Sequence, residues 1–212
     1  MFTEVLSKTQ KDLLAVLGKS QVLKDAYLAG GTALALQFGH RFSYDFDFFT
    51  LQEFKEDILV QHIKKLIPDF HLDRMEWGTI LGTIKNIRFS LFFYDYLFLF
   101  KTHDFLGIDI ADVKDIAPMK LAAISQRGSR KDFIDLYFII AKKEILSLPE
   151  ILELYDKKFK YLAQNKIHIL KSLSYFADAE QEEMPKMKEE TNWKEIKSYF
   201  ENEVKKISKN VL

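Results

Sequence analysis

Apolar residues recur at helical spacing through "LSKTQKDLLAVLG", Leu6 to Gly18, and the glycine after Leu17 predicts the end of that helix. The next stretch, "AYLAGGTALALQFG", reads as a short strand, a glycine turn, and a helix that opens near Thr32 and closes at Gly39. In "YDFDFFT" the period falls to two residues, which predicts a strand with Asp45 and Asp47 on one face and Phe46 and Phe48 on the other. A helical pattern from Gln52 to Leu66 stops before Pro68. Three β-rich runs follow between Phe70 and Tyr96: "FHLDRMEW", "TILGTI" and "IRFSLFFYDY".

Beyond "GIDIAD" the period is helical. Pro118 in the first turn of "PMKLAAISQRG", Gly128 as its stop and Ser129 as the cap of "SRKDFIDLYFIIAKK" predict two consecutive helices. After Leu148 the pattern gives two or three amphipathic helices interrupted by a charged connector, "DAEQEEMPKMKEETN", read as a loop. Strands interleaved with helices, then helices alone, predict an α+β domain over residues 1–114 and a helical domain over 115–212.

Composition narrows the function classes. The 212 residues are 48% hydrophobic, enough for a substantial core, and the absence of cysteine excludes disulfides, thiolate metal sites and a cysteine nucleophile. The longest apolar stretch, "SLFFYDYLFLF", is too short and too interrupted to cross a bilayer, and no charged and apolar leader is visible. A cytoplasmic protein with no membrane partner is the expectation. Formal net charge is zero, so attraction to nucleic acid has to come from local patches of Lys and Arg.

The chemistry concentrates between Leu28 and Thr50. Gly30 and Gly31 running into a helix offer unpaired amides and the positive end of the helix dipole, a cradle for phosphate to which Thr32 adds a hydroxyl. Two carboxylates on one strand face fit magnesium or manganese, hard cations that bridge one or two protein carboxylates to substrate phosphates. The competing reading makes Asp45 and Asp47 solvent-facing residues of an edge strand whose Phe face forms the core. Ser43 stands with His40 and Arg41 in "HRFS", between the turn helix and the acids.

The order strand, Gly-Gly-Thr turn, helix and Asp-x-Asp resembles the active-site motif of the polymerase-β-like nucleotidyltransferases. Together with "KLAAISQRGSRKDFIDLY" and "YFADAEQEEMPKMKEETNWKEIKSYF", it is similar to the AbiEii/AbiGii nucleotidyltransferase toxins of bacteria over Tyr27 to Phe200. That resemblance implies an α+β class, with an N-terminal nucleotidyltransferase-like mixed sheet and flanking helices followed by a C-terminal helical module. It implies transfer of NMP from an NTP to an RNA hydroxyl, tRNA included, or a protein hydroxyl, with an antitoxin as partner.

Position by position, Asp45 and Asp47 match the metal-binding and catalytic pair, and Gly30, Gly31, Thr32 and Ser43 the phosphate-binding group. Lys120 and Asp132 match further catalytic positions. Lys120 and Arg127, two helical turns apart on one face, match the basic residues that take a triphosphate lying between the modules, with Lys131 and Asp135 as support. A solvated basic face, or a helix start whose acids offset the dipole, would produce the same spacings. One departure stands out. Many polymerase-β-like enzymes carry a third acid on a later strand, where this chain has Ser90, with Asp95 and Asp109 as the substitutes. A degenerate module that binds a nucleotide, RNA or partner, and a small-molecule nucleotidyltransferase, are the alternatives.

Overall fold

The computed structural model describes residues 1–160 and 166–211, and the chain divides into two compact units, Met1–Tyr96 with Phe100–Asp112, and Leu97–Leu99 with Val113–Leu212. In the first unit a 3-10 turn, Thr3–Val5, precedes α1 (Lys8–Ser20), β1 (Ala26–Ala29), α2 (Gly30–Phe38), β2 (Phe46–Thr50) and α3 (Glu56–Leu66). Then come β3 (Phe70–Glu76), β4 (Thr79–Ile84), β5 (Ile87–Phe93), β6 (His103–Phe105) and β7 (Ile108–Ile110). The strands form one seven-stranded sheet in the order β3-β4-β5-β2-β1-β7-β6. It is mixed: β2 runs parallel to β5 and β1 parallel to β7, while the other neighbours are antiparallel.

Strand alternation gives this sheet two unlike faces. Leu28, Phe46, Phe48, Phe89, Leu91 and Ile110 share one side and are buried to 1% exposure or less, forming the core beneath the helices. Tyr27, Asp47, Phe49, Ser90 and Phe92 share the other side.

Several predicted boundaries shift for physical reasons. Helix α1 passes through Gly18 and ends at Ser20, with Gln21 as a left-handed cap at φ 58°. A Cβ on Gly18 would lie 2.1 Å from the Leu106 carbonyl, so this glycine serves a close backbone approach rather than a helix stop. Helix α2 opens at Gly30, two residues before Thr32.

The second unit contains α4 (Val113–Arg127), α5 (Arg130–Tyr137) with a π turn at Phe138–Lys142, α6 (Leu148–Lys158), α7 (Lys166–Ser172), α8 (Ala177–Glu180) and α9 (Trp193–Val211). Pro118 lies inside α4 rather than in its first turn, because the helix already starts at Val113. Ser129 is the N-cap of α5 by backbone position, but its hydroxyl donates to Asp132 (3.0 Å) instead of accepting from the helix. The start of the predicted connector, from Asp178 to Glu180, belongs to helix α8.

Phe133 anchors the core of this unit, with ring centroids 5.1 Å from Phe176, 6.0 Å from Trp193 and 5.5 Å from Phe200. The short segment Leu97–Leu99 is pinned by a fully buried ion pair, Lys158 to Asp115 at 2.9 Å. Lys158 also donates to the Leu97 carbonyl (3.0 Å), and Asp115 accepts from the Leu99 amide (3.1 Å). Burial pulls the Lys158 ammonium below its ordinary pKa, against the opposing pull of Asp115. Among the described residues, no helix is long and apolar enough to cross a membrane.

Candidate active site

The site in the first unit is built where β1 turns into α2. Ala29 is extended, and the chain enters the helix through Gly30 at φ +65°, a left-handed conformation that favours glycine. A Cβ there would sit 3.0 Å from Oδ2 of Asp47. Gly30 therefore lets the turn approach the carboxylate closely. The N-cap, Ala29, offers no side-chain acceptor to the first amides of α2, so the helix start keeps its capacity for an anion.

Register fixes the carboxylates. Asp47 pairs with Ala29 on β1 and with Ser90 on β5. Asp45 lies just before β2, and Arg88, two residues ahead of Ser90, meets it across the gap. Nε and Nη2 of Arg88 each donate to one oxygen of Asp45 at 2.9 Å. The Ser90 hydroxyl donates to Oδ1 of Asp47 at 2.7 Å. Two successive same-face positions of β5 thus serve Asp47 of β2 and Asp45 just before that strand, which puts both acids on one side of the sheet.

Arg88 escaped the sequence reading. Alternation in "IRFSLFF" places it on the face of Ser90, but its partner depends on parallel pairing with a strand 43 residues earlier in the sequence. Its side chain is 74% exposed and that of Asp45 31%, so the contact is accessible to water. The hydrogen bond and charge of Asp45 raise the Arg88 pKa further above its ordinary value.

Thr32 and Ser43 face inward. The Thr32 hydroxyl donates to the Asp45 carbonyl and shares a hydrogen bond of 2.7 Å with the Ser43 hydroxyl. With exposures of 1% and 6%, these hydroxyls brace the backbone that carries Asp45. Nearby, His40 is buried, with its ring 6.0 Å from Phe38 in an edge contact, and Arg41 is likewise buried.

Neither substitute for the third acid joins the pair. Asp109 aligns with Tyr27 on β7, on the far side of β1 from β2, and accepts from Thr102 at 2.8 Å; Asp95 is exposed in the segment after β5. Among the described residues no group of three or more His, Cys, Asp or Glu is placed to hold a metal ion. The donor set nonetheless fits a cation that brings its own ligands, since magnesium accepts one or two carboxylates and completes its shell with water and phosphate. The bidentate guanidinium on Asp45 marks a position that already attracts positive charge.

In the helical unit, α4 and α5 bring four predicted residues together. Lys120, with a side chain 6% exposed, lies 2.9 Å from Asp132 and 2.6 Å from Asp135, themselves 1% and 0% exposed. Arg127 is 66% exposed and reaches Asp132 through Nε at 2.8 Å. Burial alone would push the Asp132 carboxyl up, but the charge of Lys120 and the hydrogen bonds and charge of Arg127 outweigh it and hold the group below its ordinary range. The seven-residue spacing of Lys120 and Arg127 correctly gave a shared side of α4. It did not reveal that α5 would enclose one of them. Lys131 is exposed.

Comparison with known proteins adds three findings. A family model described as nucleotidyl transferase AbiEii toxin, type IV toxin–antitoxin system, matches residues 12–81, the span that holds Gly30, Gly31, Asp45 and Asp47. An uncharacterised protein of Aquifex aeolicus is 40% identical over 215 residues, with 97% of this chain and 98% of that one covered. Among solved structures, a protein from H. pylori described as a nucleotidyltransferase superposes with TM-score 0.55 at 20% identity over 97% of both chains. MenT4, a nucleotidyltransferase toxin from Mycobacterium tuberculosis, gives 0.51 at 15% identity over 92% of this chain and 80% of its own. These likenesses show the fold.

Proposed function

We propose that the chain, whose residues 12–81 match the AbiEii nucleotidyltransferase toxin family, transfers NMP from an NTP to a hydroxyl of RNA, tRNA included, as a toxin with a cognate antitoxin. The supporting observation is the placement of Asp45 and Asp47 on one sheet face, with Asp47 against the glycine turn that opens α2.

In this reading Asp45 and Asp47 hold magnesium or manganese, with Arg88 giving way at Asp45. The amides at Gly30 and Gly31 take phosphate oxygens, helped by the helix dipole. Thr32 and Ser43 keep Asp45 in place from behind. Bound cation supplies positive charge for the attacking and leaving oxygens. The acceptor oxygen bonds to the α-phosphorus, its proton passes to solvent, and cleavage at the α,β-bridging oxygen releases pyrophosphate. In the helical unit, Asp132 positions the exposed guanidinium of Arg127, and Lys120 holds Asp132 from the buried side.

Incubation with each α-labelled NTP, Mg²⁺ and total bacterial RNA tests the proposal. Label entering RNA with release of pyrophosphate is expected from at least one NTP. A second reading, a nucleotide-binding module without transfer, draws on Ser90 in place of an acid opposite Asp47. Tight NTP binding with no transfer to RNA would favour it.

A further inference from the structure

The face that carries the two aspartates also carries a line of aromatic rings that the helix-side core does not use. Phe49 follows Asp47 by two residues on β2, so the two side chains leave the sheet on the same side, about 7 Å apart along the strand. Around Phe49 stand Phe92 at 5.6 Å between centroids, Tyr94 at 5.1 Å and Tyr27 at 5.9 Å, with Tyr96 a further 4.6 Å from Tyr94. Register confirms the grouping, because Phe49 pairs with Tyr27 on β1 and with Phe92 on β5.

Apart from Tyr27, which is 5% exposed, these rings differ from the Phe residues on the opposite face. Phe46, Phe48 and Phe89 are buried to 1% exposure or less, whereas Phe49, Phe92, Tyr94 and Tyr96 keep intermediate exposure. The line starts directly beside the carboxylates and continues away from the glycine turn. A nucleotide whose α-phosphate lies at Asp47 has a ribose and then a flat π-system to place, and a separation of two strand residues suits one ribose.

We infer that this aromatic row is the nucleobase platform of the NTP site, with the base against Phe49 and Phe92. The inference rests on the nucleotidyltransferase reading above. Every base offers a π-face, so the row supplies affinity without a hydrogen-bond code that would select among bases.

Calorimetric titration of Mg-ATP and of magnesium tripolyphosphate, which has no base, separates this platform from the phosphate site. Wild type should bind ATP about ten- to a hundred-fold more tightly than tripolyphosphate, in the range that stacking supplies. Phe92→Leu, which keeps an apolar side chain, should lose most of that advantage while its tripolyphosphate affinity stays within about twofold. Equal affinity of wild type for the two ligands overturns the inference without needing any variant. An undiminished ATP advantage in both Phe92→Leu and Phe49→Leu overturns it as well, even if RNA binding weakens. Failure of wild type to bind either ligand would instead remove the nucleotide site itself, and the platform with it.

Discussion

Replacing Lys120 with methionine separates structure from chemistry in the helical unit. Its ammonium lies 2.6 Å from Asp135 and 2.9 Å from Asp132, and all three side chains are at most 6% exposed. Methionine fills much of the same volume but leaves two enclosed carboxylates without that cation, while Arg127 continues to hold Asp132. Taking one partner from a buried ionic cluster costs about 3–5 kcal/mol. For a chain of this size that lowers Tm by about 6–20 °C, at about 2–4 °C per kcal/mol. Differential scanning calorimetry reads the shift. The double variant Lys120→Met with Asp135→Leu should recover much of the loss, because it leaves Asp132 paired with Arg127 and removes the other charge. A shift under about 2 °C for Lys120→Met would refute the reasoning, since it corresponds to about 1 kcal/mol or less.

Arg88→Ala should strengthen Mn²⁺ binding by about two- to fivefold, because an exposed ion pair of up to about 1 kcal/mol no longer competes for Asp45; a titration showing weaker binding would count against competition. Asp132 is held below its usual pKa of 3.8, so on acidification the unfolded chain takes up its proton first. Its contribution is whole above that value and is lost as pH falls through the lower folded pKa, so Asp132→Asn should flatten the decline of Tm below about pH 4. An equally steep decline in the variant would show that other carboxylates govern acid unfolding. Gly30→Ala places a Cβ 3.0 Å from Asp47 at φ +65°. It should cost about 1 kcal/mol or more in chemical denaturation and weaken Mg-NTP binding, whereas wild-type values for both would mean that the close approach is not needed.

What the sequence disclosed and what it withheld follow the range of the interactions. Alternation in "YDFDFF" is local, and it was enough to put Asp45 and Asp47 on one face and Phe46 and Phe48 in the core. Arg88 and Ser90 become their partners only through parallel pairing of β2 with β5, which no local period encodes. Gly18 looked like a helix stop because glycine there is equally compatible with a stop and with the contact it makes to Leu106. The hydroxyls of Thr32 and Ser43 were legible as neighbours of the turn, but their inward direction depends on the Asp45 carbonyl lying behind them. The stretch "SLFFYDYLFLF" has no simple alternation to sort its side chains, and only the register divides it, with Leu91 on the helix side and Phe92 on the side of the acids.

The most direct test of the central claim compares NMP transfer by wild type with transfer by Asp45→Asn and Asp47→Asn. Labelled NTP, Mg²⁺ and RNA are supplied, and calorimetry establishes that each variant is folded. Asn keeps the shape and removes the charge that would hold the cation. Both variants should lose transfer by on the order of a hundredfold or more, with Tm unchanged or raised. Folded variants that transfer within about tenfold of wild type, less than the loss of one such group entails, would contradict the assignment of these two carboxylates to the metal.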